Sequence, residues 1–186
     1  LAVCAFAGLR LGEASGLQVG DVDFLRGTIE VRRQIQGTGK ANVRVEPPKH
    51  GSERTVYVPR ELTDMLAIHI TECGVYGDEQ WLFGTGDARY TQNSAGHRFR
   101  SARSAAGLPI EAHIHGLRHY YASGLIAAGC DVVTVQRALG HASPSITLNI
   151  YSHLWPKAED KTRAAATDMM ATALGKNADQ VRTSGT

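Results

Sequence analysis

Apolar and polar residues alternate from Val22 to Gln36, on either side of a turn at Arg26-Gly27. Such an alternation places the apolar side chains on one face of an extended chain, so it predicts an antiparallel hairpin with one buried face. A polar loop rich in glycine and proline, Gly37 to Glu53, leads to a third predicted strand, Arg54 to Val58, which Pro59 closes. The front of the chain therefore predicts a small three-stranded antiparallel sheet.

The rest of the chain has helical periodicity. Before the sheet, Gly8 and Gly12 indicate a break or tight bend between two short helices. After the sheet, apolar stripes and stop signals predict helices over 62–74, 91–106, 115–128, 131–140 and 145–151, and a last helix from Pro156 to Gly175. Tyr120 and Tyr121 are expected to be core aromatics. The predicted fold class is α+β, mainly α-helical with one small antiparallel sheet.

Composition narrows the function only slightly. Lys and Arg number 20 against 18 Asp and Glu, so a net charge of +2 permits nucleic-acid binding without requiring it. Cys4, Cys73 and Cys130 are far apart and form no C-x-x-C pair, which predicts reduced, buried thiols in a cytoplasmic protein. The apolar opening run, Leu1 to Leu9, is too short to cross a bilayer, so we expect no membrane contact. Because the chain starts inside an apolar pattern, we expect an upstream domain that this sequence lacks.

His115 and Arg118 stand three positions apart in a predicted helix, so both side chains project from one face. A guanidinium offers a planar fork of donors that matches two phosphate oxygens, and an imidazole beside it can donate or accept a proton. This pair predicts a phosphate-binding site.

Five segments resemble, in order and spacing, the motifs of the tyrosine recombinases, also called phage integrases. They are Ala7–Glu13, Pro48–Thr55, His115–His119, Leu139–His141 and Tyr151–His153. The resemblance extends over residues 1–174, which we expect to form the catalytic domain of that family. We expect residues 175–186 to be a disordered tail and the family's N-terminal core-binding domain to be the missing upstream part.

The resemblance implies six active-site residues: Arg10, Lys49, His115, Arg118, His141 and the nucleophile Tyr151. It implies that the tyrosine attacks a DNA phosphate to give a 3′-phosphotyrosyl link and a free 5′-hydroxyl. His115 would accept the tyrosine proton and Lys49 would protonate the leaving oxygen. Arg10, Arg118 and His141 would hold the non-bridging oxygens, with Glu13 orienting Arg10 and His119 in a supporting role. No cofactor and no metal are expected, because fixed cations supply the positive charge.

The implied partner is double-stranded DNA, with a homotetramer on synapsed DNA and a possible monomer for the isolated domain. Three arginines on one predicted helix, Arg98, Arg100 and Arg103, could lie along the DNA backbone. A solvated basic face is the alternative. The last helix could close the core of this domain or dock on a neighbouring protomer.

Two other functions stay open at the level of sequence. A type IB topoisomerase would use the same chemistry to relax supercoils, and a DNA-binding module could have lost catalysis. A zinc site at His113, His115 and His119 is disfavoured, because no Glu stands at H-E-x-x-H spacing and no Cys is near.

Overall fold

The structure is a computed structural model that describes residues 1–37, 42–155 and 158–182. It divides into two units, Leu1–Tyr151 and Ser152–Thr186. The second unit contains a 3-10 turn, Ser152–Leu154, and helix α8, Ala158–Arg182. Helix α8 therefore continues past Gly175, where the sequence predicted its end, because one glycine costs a helix only about 1 kcal/mol and does not by itself stop it.

The described part of the first unit contains seven α-helices. They are α1 (Ala2–Phe6), α2 (Leu11–Ser15), α3 (Arg60–Cys73), α4 (Gln92–Ala105), α5 (His115–Ala127), α6 (Val132–Leu139) and α7 (Pro144–Tyr151). Each helix that periodicity predicted is present. Asp131 caps α6 by accepting hydrogen bonds from the backbone N–H groups of Val133 and Thr134. No helix in the described ranges has both the length and the apolar character needed to cross a membrane.

The predicted three-stranded sheet is confirmed. Strands β1 (Val22–Asp23) and β2 (Thr28–Val31) pair antiparallel, and a later strand, Arg54–Tyr57, pairs antiparallel with the other edge of β2. Ile29 faces Val56 across this second pairing, and both side chains are buried. The sheet therefore contributes one face to the core, as the alternation predicted.

The sequence predicted that the hairpin of this sheet extends to Gln36, and this was wrong: residues 34–36 belong to a separate sheet. These residues form β3 and pair with β4 (Arg44–Glu46), a strand inside the segment that was predicted to be a loop. Arg33 lies between β2 and β3. Its side chain forms a salt bridge with the buried carboxylate of Asp21, the residue just before β1. The strand Arg54–Tyr57 is therefore β5, and a further short hairpin consists of β6 (Gly84–Thr85) and β7 (Ala88–Arg89).

The core lies between the sheet and the helices α1, α3 and α5. Two expectations about burial were wrong. Tyr120 is 63% exposed, because the buried stripe of α5 consists of Arg118, Ala122 and Ile126. Cys73 is exposed at the end of α3 and Cys130 is partly exposed, whereas Cys4 is buried as expected; none of the three described cysteines forms a disulfide.

The end of α6 gives the first prediction. Gly140 has a left-handed backbone (φ 63°), and an added Cβ would lie 2.9 Å from the Cδ atom of Arg54. Gly140→Ala is therefore expected to lower the free energy of unfolding by at least about 1–2 kcal/mol, measured by urea denaturation. The matched control is Gly124→Ala in α5, where nothing lies within 4 Å of the added atom, and a helical alanine should be neutral or stabilising by up to about 1 kcal/mol. Equal stability of the two variants would contradict this account of Gly140.

Candidate active site

The buried carboxylate of Glu13 binds Arg10, the first of the predicted site residues. Gly8 turns the chain with φ 64°, and Arg10 then stands at the N-cap of α2, three residues before Glu13. The Glu13 carboxylate accepts hydrogen bonds from the Arg10 backbone N–H at 2.9 Å and from Arg10 Nη1 at 2.7 Å. The predicted contact between Glu13 and Arg10 is therefore present, and it fixes the guanidinium against the first turn of α2.

A second guanidinium binds the same carboxylate from the other side. Arg54 Nη2 donates to Glu13 Oε2 at 2.9 Å, and Arg54 Nη1 donates to Oε1 at 3.2 Å. Burial alone would raise the pKa of Glu13, but the hydrogen bonds and charges of Arg54 and Arg10 outweigh it and lower the pKa to about 2. Glu13 is thus ionised at neutral pH, although its side chain is only 1% exposed.

Sequence reasoning missed Arg54, which links three segments of the site. Its Nε donates to the Ala138 carbonyl at 3.0 Å, near the end of α6, and its Nη1 donates to the Ser52 carbonyl at 3.2 Å. The signal was available in the alternation of β5, since Arg54 shares the inward face with the buried Val56. An arginine on a buried strand face requires an acid partner, and Glu13 is that partner.

Arg118 is buried in α5 and links two other segments. It donates to the Gly8 carbonyl in the turn before α2 and to the Leu139 carbonyl at the end of α6. Burial, and then the charge of Arg10, lower its pKa to about 9, so the guanidinium remains cationic at neutral pH. A guanidinium has five N–H donors, so these two bonds do not exhaust its capacity for a phosphate.

His141 follows the glycine that ends α6. Its Nδ1 lies 2.9 Å from Oγ1 of Thr147, a fully buried residue of α7 that sequence reasoning missed. Burial, and then the charges of Arg118, Arg10 and Arg54, lower the pKa of His141 to about 4, so the ring is neutral at pH 7. In the tautomer in which Nδ1 accepts a hydrogen bond from the Thr147 hydroxyl, Nε2 carries the ring proton and can donate a hydrogen bond to a phosphate oxygen.

Tyr151, the last residue of α7, is only 4% exposed and contacts α5. Its hydroxyl forms a 2.7 Å hydrogen bond with His119 Nδ1, and the two rings meet edge to face at 5.4 Å. The sequence assigned this partnership to His115, but His115 lies one turn earlier on α5 and contacts His119 instead, with ring centroids 4.7 Å apart. Burial raises the pKa of Tyr151, while the charge of Arg118 acts in the opposite direction.

Lys49 is exposed and begins the 3-10 turn Lys49–Gly51. The residues after it line an open cleft of about 480 Å³, together with Gly140 and His141. Arg10 lies beside this cleft, since its guanidinium donates to Ser52 Oγ at 3.4 Å and to the Gly140 carbonyl at 3.5 Å. Among the described residues, the structure brings no member of the site into hydrogen-bonding contact with the Lys49 ammonium.

The three arginines of α4 differ in their surroundings. Arg103 donates from Nη1 to the carbonyls of Ile110 at 2.6 Å and Ala112 at 3.2 Å, so it anchors the segment that leads to α5. Arg98 and Arg100 are exposed. Contact of any of the three with DNA stays a prediction. Arg98 and Arg100 are more exposed to solvent than Arg103.

No three His, Cys, Asp or Glu side chains in the described ranges are grouped as metal ligands. The site instead combines three buried or half-buried guanidiniums, two imidazoles and a phenol–imidazole pair. Fixed cations that surround a neutral imidazole can hold an anion such as a phosphodiester and stabilise charge that develops on it.

Residues 1–157 match the sequence profile of the phage integrase family. The chain belongs to the phage integrase family. The matched range contains all six residues that the resemblance implied as an active site, from Arg10 to Tyr151.

Two relatives illustrate the family match. A tyrosine recombinase XerC-like protein of Caldanaerobacter subterraneus is 33% identical over 182 residues, which cover 86% of this chain and 46% of the relative. The tyrosine recombinase XerC of Agrobacterium fabrum is 32% identical over 164 residues, which cover 81% of this chain and 47% of the relative. The chain thus spans about half the length of the curated relatives it matches.

Solved structures confirm the fold class. The Tn1549 transposon integrase, in complex with a circular intermediate DNA, superimposes with a TM-score of 0.76 at 22% identity, covering 90% of this chain and 56% of that one. The XerA recombinase gives a TM-score of 0.64 at 25% identity, covering 84% of this chain and 57% of that one. This phage integrase chain therefore has the tyrosine recombinase catalytic-domain fold, mainly helical with small antiparallel sheets.

Proposed function

We propose that this chain is the catalytic domain of a site-specific DNA recombinase that cuts and rejoins double-stranded DNA through a 3′-phosphotyrosyl link to Tyr151. The observation that carries the proposal is the convergence of Arg10 and Arg118 on the end of α6, beside His141: Arg10 donates to the Gly140 carbonyl and Arg118 to the Leu139 carbonyl. The Tyr151 hydroxyl is held against α5, the helix of Arg118, by its hydrogen bond to His119. Family membership and relatives that are named tyrosine recombinases support it. The Tn1549 integrase, bound to DNA in its own structure, supports DNA as the substrate.

The proposed reaction is a phosphoryl transfer to Tyr151 in cleavage and back to a DNA hydroxyl in rejoining. The Tyr151 oxygen attacks the scissile phosphorus, the bond from phosphorus to the 5′-oxygen breaks, and Lys49 gives that oxygen a proton. Rejoining reverses each step with a 5′-hydroxyl from another strand. Because Lys49 stands on an exposed turn at the edge of the cleft, bound DNA would have to draw its ammonium towards the phosphate.

Arg10, Arg118 and His141 would hold the non-bridging oxygens as negative charge builds up in the transition state. The Glu13 carboxylate keeps Arg10 in place, and the carbonyls of Gly8 and Leu139 keep Arg118 in place. Donors that are fixed before the reaction need no reorganisation during it, which is why such groups stabilise transition states effectively. The neutral His141 adds a hydrogen-bond donor without adding a third repelling charge.

The proposed assembly is a homotetramer on two synapsed duplexes, with an isolated domain that could be monomeric. Arg98 and Arg100 would add salt-sensitive contacts with the DNA backbone.

Covalent capture tests the proposal without knowledge of the target site. The chain is incubated with a pool of duplexes that carry a randomised centre and a nick beside it, so that a cleaved strand fragment diffuses away. We expect an SDS-resistant protein–DNA adduct whose recovered sequences share a common site, formed equally well in EDTA. No adduct from any sequence, or an adduct that requires added Mg²⁺, would contradict the proposal.

A further inference from the structure

The hydroxyl that would attack DNA already contacts a base. The Tyr151 hydroxyl and His119 Nδ1 form a 2.7 Å hydrogen bond, in surroundings that leave the tyrosine 4% exposed. This distance is in the normal range for a well-formed bond to a hydroxyl. In the tautomer that has its proton on Nε2, the hydroxyl is the donor and Nδ1 the acceptor. His119 is thus the imidazole that touches the reacting atom, whereas His115 touches the ring of His119.

We infer that His119 is a catalytic residue that accepts the Tyr151 proton during strand cleavage, an inference that rests on the proposed recombinase function. The O–H bond of Tyr151 breaks and its proton moves to His119 Nδ1, while the phenol oxygen forms its bond to phosphorus. The 5′-oxygen leaves with a proton from Lys49, so the tyrosine proton stays on the protein and the lysine proton passes to the DNA hydroxyl. On rejoining, the imidazolium returns its proton to the tyrosine oxygen.

The phenol needs such an acceptor in this site. A free tyrosine has a pKa of about 10, and burial raises the pKa of Tyr151 further, so little phenolate exists at neutral pH. Arg118 opposes that shift by charge, but its donors are directed to backbone carbonyls. A base in direct contact with the hydroxyl removes the proton as the new bond forms.

The neighbouring imidazole strengthens the assignment. The titratable groups around His119 are His115 on its own helix, Tyr151 from α7, and Glu111 and His113 of the segment before α5, which line the same surface cavity. Two imidazolium ions with centroids 4.7 Å apart would repel each other, so one ring of the pair should be charged at a time. Burial, and then the charges of His119, Arg118 and Arg10, lower the pKa of His115, which disfavours a proton on that ring. His119 is the ring in contact with the hydroxyl.

His119→Asn separates proton transfer from positioning. The asparagine side-chain oxygen can lie where Nδ1 lies and accept the tyrosine hydrogen bond, but it cannot take the proton. On a captured target sequence, the rate of adduct formation at neutral pH should fall by on the order of 10²–10⁴-fold. The wild-type rate should rise with pH and then level off, because a general base is most effective once it is deprotonated, while the variant's rate should keep rising at alkaline pH, because only ionisation of the phenol itself remains.

Two comparisons show whether the defect of His119→Asn lies in removal of the Tyr151 proton. His115→Asn should lower the rate but keep the wild-type shape of the pH profile. A substrate with sulfur at the leaving 5′-position needs no protonation, so it should relieve the defect of Lys49→Ala and leave the defect of His119→Asn in place. Circular dichroism melting checks that each variant is folded.

The outcomes are distinct. If His119→Asn keeps the wild-type rate and profile, His119 does not accept the proton. If the variant is faster than wild type, the hydrogen bond restrains Tyr151 and the inference is overturned. If wild-type protein forms no adduct at all, the proposed function itself fails, independently of His119.

Discussion

Tyr151→Phe is expected to abolish the covalent protein–DNA adduct, lowering the cleavage rate by at least on the order of 10⁴-fold, as loss of a nucleophile does in other enzymes that form covalent intermediates. The substitution removes the one oxygen that bonds to phosphorus and leaves the ring in place at the end of α7. Only one hydrogen bond is lost, that to His119, so the free energy of unfolding should fall by about 1–3 kcal/mol. The measurements are a time course of SDS-resistant adduct and a thermal melt.

Tyr120→Phe is the matched control for this experiment. Tyr120 is 63% exposed on α5 and its ring contacts Phe6 edge to face at 6.2 Å, so its hydroxyl has no place in the proposed reaction. This variant should form the adduct at the wild-type rate. An adduct that persists in folded Tyr151→Phe would show that another residue is the nucleophile.

Arg10→Lys is expected to lower the cleavage rate by on the order of 10²–10³-fold although it keeps the positive charge. A lysine ammonium is a point charge, whereas the guanidinium can bond Glu13 with one edge and present the other to a phosphate. The fold should tolerate the change, because Arg54 continues to neutralise Glu13. Single-turnover adduct formation measures the rate, and filter binding measures whether affinity for DNA is retained.

Arg60→Lys is the corresponding control, since Arg60 begins α3 with a side chain that is 90% exposed. It should cleave at the wild-type rate and bind DNA normally. A folded Arg10→Lys protein with full cleavage activity would remove Arg10 from the phosphate site. If the cleavage rate falls only as much as DNA binding does, Arg10 contributes to DNA affinity and not to the chemical step.

The sequence predicted the elements whose signals are local. Alternation over Val22–Asp23 and Thr28–Val31 identified two strands, and Asp131 and Gly140 marked both ends of α6. Strand β4 was missed although apolar and polar residues alternate over 43–46, because the run is short and lies within a polar segment rich in glycine and proline. It pairs with β3 through its backbone, and its residues are mostly exposed. Tyr120 was misplaced because a buried arginine and two aliphatic residues, rather than the aromatic ring of Tyr120, face the core from α5.

The sequence predicted which residues belong to the candidate site, but not which of their side chains contact one another. Motif spacing identified Arg10, His141 and Tyr151, but it could not show which side chains pair across segments distant in sequence. The contact between Glu13 and Arg54 joins α2 to β5, and the contact between Tyr151 and His119 joins the end of α7 to α5. Both are tertiary contacts, which local periodicity does not encode.

The most direct test identifies the residue that carries the DNA. Adduct from the captured site is digested with protease and nuclease, and the peptide that retains a nucleotide is sequenced by mass spectrometry. We expect a phosphodiester on the oxygen of Tyr151. A nucleotide on Tyr120, on Tyr121 or on a residue other than tyrosine would contradict the proposal that the Tyr151 phenol faces the phosphate held by Arg10 and Arg118.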